Sequence, residues 1–268
     1  MDKTPVLFYR EGTCALGALI SLLWSGEAFR LCHLQESDET NPDYLKLNAL
    51  GEVPTLFTDG VVISENVAIL QHIGFLNLSP GITFEPGSGY FDQLQRALGF
   101  LSSSFHKSFM PIFSPELFHE DKKVQTEMRQ KFIAGHLREM MEHTEIHLLR
   151  TPLLFDHPTV GDAYLYAMVR WTEDLYNLPK EFPHLVRFQK AMNQLPEVAL
   201  ALRIESGQHK DGVKNFKGHV EFKDFVRDAA HRKRQLDHAG WDEEMKKVLP
   251  VAAQLHALQP HRPQQGLF

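Results

Sequence analysis

Apolar positions follow two rhythms along this chain, and the change between them divides it. Val6-Leu7-Phe8-Tyr9 is an unbroken apolar run of strand length. The polar turn Arg10 to Thr13 follows, and then Leu16, Leu19, Ile20 and Leu23 recur at helical spacing. Ala28 to Leu34 alternates and predicts a second strand, Gln35 to Asn41 reads as polar loop, and Pro42 to Asn48 reads as a short helix opened by its proline. Gly51-Glu52-Val53-Pro54-Thr55-Leu56-Phe57 and Val61-Val62-Ile63 flank Asp59-Gly60, a hairpin with a favoured turn dipeptide. Glu65 to Ile73 predicts a closing helix. The order βαβαββα makes residues 1–79 an α/β unit.

From residue 90 the strand rhythm is absent. The stretch 78–89 carries Pro80, Gly81, Pro86, Gly87 and Gly89 and predicts a linker. Tyr90 to Phe109, Lys122 to Leu149 and Gly161 to Tyr176 keep 3.6-residue apolar spacing, and a last helix opens at Phe182-Pro183 and ends near Gly207. Residues 90–207 are therefore predicted to be an all-α helical bundle. Thr159-Val160-Gly161-Asp162 has the form of a capping box and is read as a folding element. Residues 208–268 form an extension. Phe216, Phe222, Phe225, Trp241 and Leu249 predict mainly helix there, packed on the helical domain and ending in a mobile tail.

Composition narrows the function. A net charge of -6 leaves no electrostatic footprint for nucleic acid. No 18-residue apolar run predicts a membrane span. Met1 to Pro5 leads into a strand without a signal-peptide core, and the two cysteines, Cys14 and Cys32, lack C-x-x-C spacing. A reducing, cytoplasmic compartment is the expectation. The histidines of the extension (His209, His219, His231, His238, His256, His261) have no metal-ligand spacing and read as solvated, so no metal site is expected.

The residues that can carry chemistry are few. Cys14 stands where a strand–turn–helix places it at a helix N-terminus, whose N–H groups favour a negative sulfur; an inert buried cysteine is the alternative. Pro54 at the head of a strand reads either as an edge proline or as a cis Val53-Pro54 turn exposing the Val53 main chain to a peptide-like ligand. Ser64-Glu65-Asn66 at another helix start offers N–H groups to a carboxylate and an acidic side chain to an ammonium, or simply caps the helix. His106-Lys107 near the end of a helix reads as a cation pair on the helix dipole.

Together, Tyr9…Gly12-Thr13-Cys14, Asn41-Pro42…Gly51-Glu52-Val53-Pro54-Thr55-Leu56 and Ser64-Glu65-Asn66-Val67-Ala68-Ile69 resemble the thioredoxin-like domain of the glutathione S-transferase family. Cysteine at position 14 points to its bacterial beta class. The resemblance covers about three quarters of the chain. It implies a thioredoxin-like α/β domain followed by a helical bundle, glutathione as co-substrate, a homodimer, and a role in detoxification. It implies that Val53 and Pro54 hold the cysteinyl main chain of glutathione, that Glu65 and Asn66 hold its γ-glutamyl end, and that His106 and Lys107 approach Cys14 from the helical domain as catalytic groups. The expected reaction is transfer of glutathione to a small electrophile, or exchange with a disulfide through Cys14, whose thiol is expected below its free value of about 8.5. Two positions depart from the class: Ala15 replaces its usual serine, and Gln35, Glu36, Asp38 and Glu39 replace its usual basic loop. They favour the rival reading, a non-enzymatic adaptor of the same fold that binds a protein partner.

Overall fold

A computed structural model describes residues 4–78, 81–209 and 211–227. The first unit runs β1 (Val6–Tyr9), α1 (Ala15–Ser25), β2 (Phe29–His33), α2 (Glu36–Glu39), α3 (Pro42–Leu45), β3 (Thr55–Thr58), β4 (Val61–Ile63) and α4 (Asn66–Leu76). The helical unit follows with α5 (Gly89–Phe100), α6 (Met110–Phe113), α7 (Lys122–Phe132), α8 (Arg138–His147), α9 (Val160–Val169), α10 (Leu178–Glu181), α11 (Pro183–Asn193) and α12 (Pro196–Glu205). A fifth strand, β5 (Phe216–His219), comes last. The sheet order is β4-β3-β1-β2-β5, with β1 parallel to β2 and antiparallel to β3, and with β5 parallel to β2. The β3–β4 turn holds Asp59 and Gly60 at φ 49° and 83°, the double positive φ of a type I′ hairpin.

The sheet has two apolar faces. Leu7, Phe29, Leu31 and Leu56 join the main core, which includes α1 and α4. α1 is buried on nearly every side, and its sequence, Ala-Leu-Gly-Ala-Leu-Ile-Ser-Leu-Leu-Trp-Ser, is apolar all round for that reason. It packs on α9 so closely that a Cβ on Gly17 would lie 3.0 Å from the Tyr164 Cα. The other face, Val6, Phe8, Cys32 and Leu34, packs against Tyr44 and Phe225, with Val53, Phe57 and Phe222 at its border.

The structure corrects the sequence reading in four places. Residues 36–39 form a short helix with a Gln35–Asp38 capping box, and Glu39 turns inward to pair with Arg10 at 3.4 Å. The 78–89 linker is tied to the helical unit: Ile82 and Thr83 are buried, and the Ile82 carbonyl accepts from the Val160 N–H at 2.9 Å. The long helices of the bundle are interrupted, by a π-turn at Leu101–Phe105 leading into a 3₁₀ turn at His106–Phe109, and by a second π-turn at Ile133–Leu137. Such widened turns change which residues face inward without ending the helix, and apolar spacing alone does not reveal them.

The fourth correction concerns the extension. Its described part does not pack as helix on the bundle; it adds β5 to the free edge of β2. Phe29 N–H donates to the Asn215 carbonyl at 3.0 Å, and Val220 N–H donates to the Leu31 carbonyl at 2.8 Å. The Asn215 amide donates to the Leu22 and Glu27 carbonyls at 2.7 and 2.9 Å and anchors the strand below α1. Residues 222–227 are helical, and Phe222 and Phe225 sit edge-on to Phe8 at 6.4 and 4.9 Å. A four-residue strand containing lysine and glycine has no alternation to betray it; the unpaired N–H and C=O groups along β2 recruit it. Trp241, Leu249, His231, His238, His256 and His261 lie outside the described residues.

Candidate active site

β1 delivers the chain into a turn that both units hold. Gly12 sits at φ 74°, where a side chain is disfavoured by backbone conformation alone, since a Cβ there would meet nothing. Its N–H donates to Glu205 Oε1 at 3.1 Å, and its carbonyl accepts from the Trp171 indole at 2.8 Å. Glu205, at the end of α12, is buried and also receives Arg170 at 3.0 Å. Burial raises its carboxyl above the ordinary range, and the arginine and the Gly12 N–H oppose that shift. Thr13 Oγ1 donates to the Arg10 carbonyl at 2.7 Å and closes the turn.

Cys14 follows at the N-cap of α1, as the sequence predicts, but the state of its thiol differs from the expectation. The residue is buried, and its Sγ donates a long hydrogen bond to the Val53 carbonyl at 3.8 Å. Burial first, and then the Glu52 and Glu65 carboxylates, push the thiol up to about 12, overriding the local backbone hydrogen bond. The helix N-terminus does not yield a thiolate here, because desolvating a sulfur anion beside two negative charges outweighs it. Cys32, on the opposite sheet face, is likewise pushed up to about 12 by burial.

The other predicted residues divide. The Val53-Pro54 bond is cis, and Val53 is half-buried beside Cys14. Glu65 is exposed at the start of α4 with φ 67° and ψ 117°, a strained conformation costing about 1–3 kcal/mol. Asn66 is buried and its amide donates to the Cys14 carbonyl at 3.4 Å. His106 comes into the cleft: its Nδ1 meets the Tyr164 hydroxyl at 2.8 Å, and its ring lies 5.3 Å from Trp171. Burial lowers the His106 pKa, with the Glu52 carboxylate opposing, so the imidazole is neutral near pH 7. Lys107 is exposed, one position farther along the same turn. His106 thus meets Tyr164, and Cys14 is bonded to both Val53 and Asn66, while Lys107 does not join them.

Sequence reasoning misses Tyr164, Trp171, Arg170, Glu205 and Glu52. The first four are bundle residues, and the Thr159–Asp162 box marks only where α9 begins, the helix that bears Tyr164 and leads into Arg170 and Trp171. That box is present: Asp162 accepts from Thr159 N–H at 2.9 Å, Thr159 Oγ1 at 2.7 Å and Leu154 N–H at 2.8 Å. Burial pushes its carboxyl up to about 6 against those donors. His219 is not a solvated histidine either; its Nε2 pairs with the Tyr9 hydroxyl at 3.0 Å where β1 enters the site turn. Among the described residues no three His, Cys, Asp or Glu side chains form a metal cluster, and no helix is long and apolar enough to cross a membrane.

Known proteins share this fold. Residues 11–74 match the glutathione S-transferase N-terminal domain family. The glutathione S-transferase GST-4.5 of Xanthomonas campestris is 31% identical over 170 residues, which span 62% of this chain and 81% of that protein. A solved sphingomonad glutathione S-transferase complexed with glutathione has a TM-score of 0.64 at 29% identity, over 75% of this chain and 98% of its own. The bacterial beta class glutathione S-transferase of Sphingomonas chungbukensis gives 0.67 at 28% identity, over 75% and 98%. The thioredoxin-like unit, the helical unit and the relatives together show that the chain belongs to the glutathione S-transferase family.

Proposed function

We propose that this protein conjugates glutathione to a small electrophile, with Cys14 acting as a neutral hydrogen-bond donor and not as the attacking sulfur. The observation that carries this reading is the Cys14 thiol itself, buried, directed at the Val53 carbonyl and pushed up to about 12. Disulfide exchange needs a thiolate on the attacking residue, and a thiol so raised supplies almost none at neutral pH.

In this reading glutathione lies along the Val53-Pro54 turn, with its γ-glutamyl end toward Glu65 and Asn66, as the family resemblance suggests. Its thiol loses its proton to solvent. The sulfur anion is held by the N–H groups opening α1, by the Cys14 S–H and by a neutral His106. That anion forms a bond to the electrophilic carbon, and the displaced group departs with its electron pair, or an alkene accepts the pair and then a solvent proton. The working unit is taken as a cytoplasmic homodimer, again from the resemblance; light scattering should give twice the 30.7 kDa chain mass.

The test is Cys14→Ala in two assays. Conjugation to an aromatic halide should persist within about tenfold, since one neutral donor contributes roughly 0.5–1.5 kcal/mol. Exchange with a mixed disulfide should be negligible in both proteins. Loss of conjugation together with robust wild-type exchange would make Cys14 the nucleophile. A wild-type protein that neither binds immobilised glutathione nor conjugates it would instead support the adaptor.

A further inference from the structure

We propose that Tyr164 is the positioning residue of this site, fixing the ring and tautomer of His106 so that Nε2–H is offered to the glutathione sulfur; this rests on the conjugation reading above. Tyr164 is 1% exposed and lies in α9 where that helix presses on α1. Gly17 of α1 faces its backbone so closely that a Cβ there would lie 3.0 Å from the Tyr164 Cα. Its hydroxyl is 2.8 Å from His106 Nδ1, and the two rings meet edge-on with centroids 5.9 Å apart. Among the described residues, His106 Nδ1 is the hydrogen-bond partner of that hydroxyl. The Asn66 amide holds the Cys14 carbonyl at 3.4 Å and so fixes the cysteine turn.

Donor and acceptor counting sets the tautomer. Among the described residues the phenolic proton has His106 Nδ1 as its acceptor, so the hydroxyl donates and Nδ1 accepts. Only the neutral imidazole can accept there, and its remaining proton then sits on Nε2. Burial keeps His106 in that neutral form. A fixed N–H aimed at a developing sulfur anion lowers the thiol pKa by hydrogen bonding to the charged form. No proton passes through His106; the thiol proton leaves to solvent.

The experiment titrates the thiol of bound glutathione by the ultraviolet absorbance of its thiolate in the full-length protein. Tyr164→Phe should raise that apparent pKa by about one unit, cut kcat near neutral pH about tenfold, and leave the KM for glutathione within about twofold. His106→Gln should do the same, and the double variant should add little to either. Fluorotyrosine at position 164 keeps the shape and strengthens the donor, so it should move the pKa the other way. An unchanged pKa in Tyr164→Phe, where His106→Gln raises it, would overturn the proposal, as would a fluorotyrosine protein titrating like wild type. Absence of any bound thiolate in the wild type would overturn the conjugation reading instead.

Discussion

The inner face of the sheet is closed by α1 and α4, with α9 pressed behind, whereas the outer face is closed by Tyr44 and by Phe222 and Phe225 from the segment beyond Gly207. The inner side carries the chemistry. Cys14, Asn66, Tyr164 and His106 all depend on how tightly α1 meets α9. The outer side carries stability and reaches the site through the His219–Tyr9 bond and through Val53, which borders it. The part of the chain shared with relatives therefore builds the cleft, and the extension braces the sheet from outside. Damage on the two faces should differ in kind: inner changes alter turnover per folded molecule, outer changes alter the amount of folded molecule.

The largest expected effect is on the outer face. Phe8 is fully buried against Tyr44, Phe222 and Phe225, and Phe8→Ala should destabilise by about 3–5 kcal/mol in denaturant melts. Turnover per folded molecule should stay within about twofold. A normal melt would mean that the extension does not cover this face.

Gly17→Ala strikes the inner face with a smaller energy and a larger functional cost. The added methyl meets the Tyr164 backbone at 3.0 Å, so overpacking should cost about 1–3 kcal/mol. It should also lower kcat several-fold in the folded fraction, because Tyr164 shifts with α9 and its hydroxyl holds His106. Unchanged kcat would separate the α1–α9 contact from the chemistry.

Asp162→Ala should cost a comparable 1–3 kcal/mol, roughly the loss of a cap with its buried donors left unmet, without changing turnover per folded molecule. Its pH dependence has a definite sign. The folded carboxyl is pushed up to about 6, above its unfolded value, so the native state binds the proton more tightly and protonation favours folding. Wild-type stability from this group grows as pH falls through about 6, and the penalty of Asp162→Ala should be larger at pH 5 than at pH 8. The reverse order in paired melts would contradict the burial argument.

His219→Phe is the mildest change, about 0.5–1.5 kcal/mol for one hydrogen bond, and it tests the link that the extension makes to the site turn. A drop in kcat larger than the drop in stability would show that the extension tunes the site as well as bracing the sheet.

Legibility in the sequence followed the same division. α1, α4 and the Asp59-Gly60 hairpin announce themselves because burial on one or all sides imposes a period, and Cys14, Val53-Pro54 and Glu65-Asn66 stand at the ends of those periodic elements. β5 could not be read: Phe216-Lys217-Gly218-His219 acquires its strand conformation from the free edge of β2, a partner nearly two hundred residues earlier. Tyr164, Trp171 and Glu205 were hidden for a related reason, since each looks like an ordinary helix residue until the bundle folds back on the Gly12 turn. The state of the Cys14 thiol is not legible in the sequence, because helix position is local and visible, while burial and the nearby Glu52 and Glu65 charges exist only in three dimensions.

The most direct test is the alkylation rate of Cys14 by iodoacetamide across pH, followed by mass spectrometry of its peptide in the free protein. A buried neutral thiol predicts reaction slower than that of a free cysteine, with no inflection below about pH 10. Rapid labelling with an inflection near pH 7 would show a thiolate in the resting protein and would contradict the assignment of Cys14 as a neutral donor.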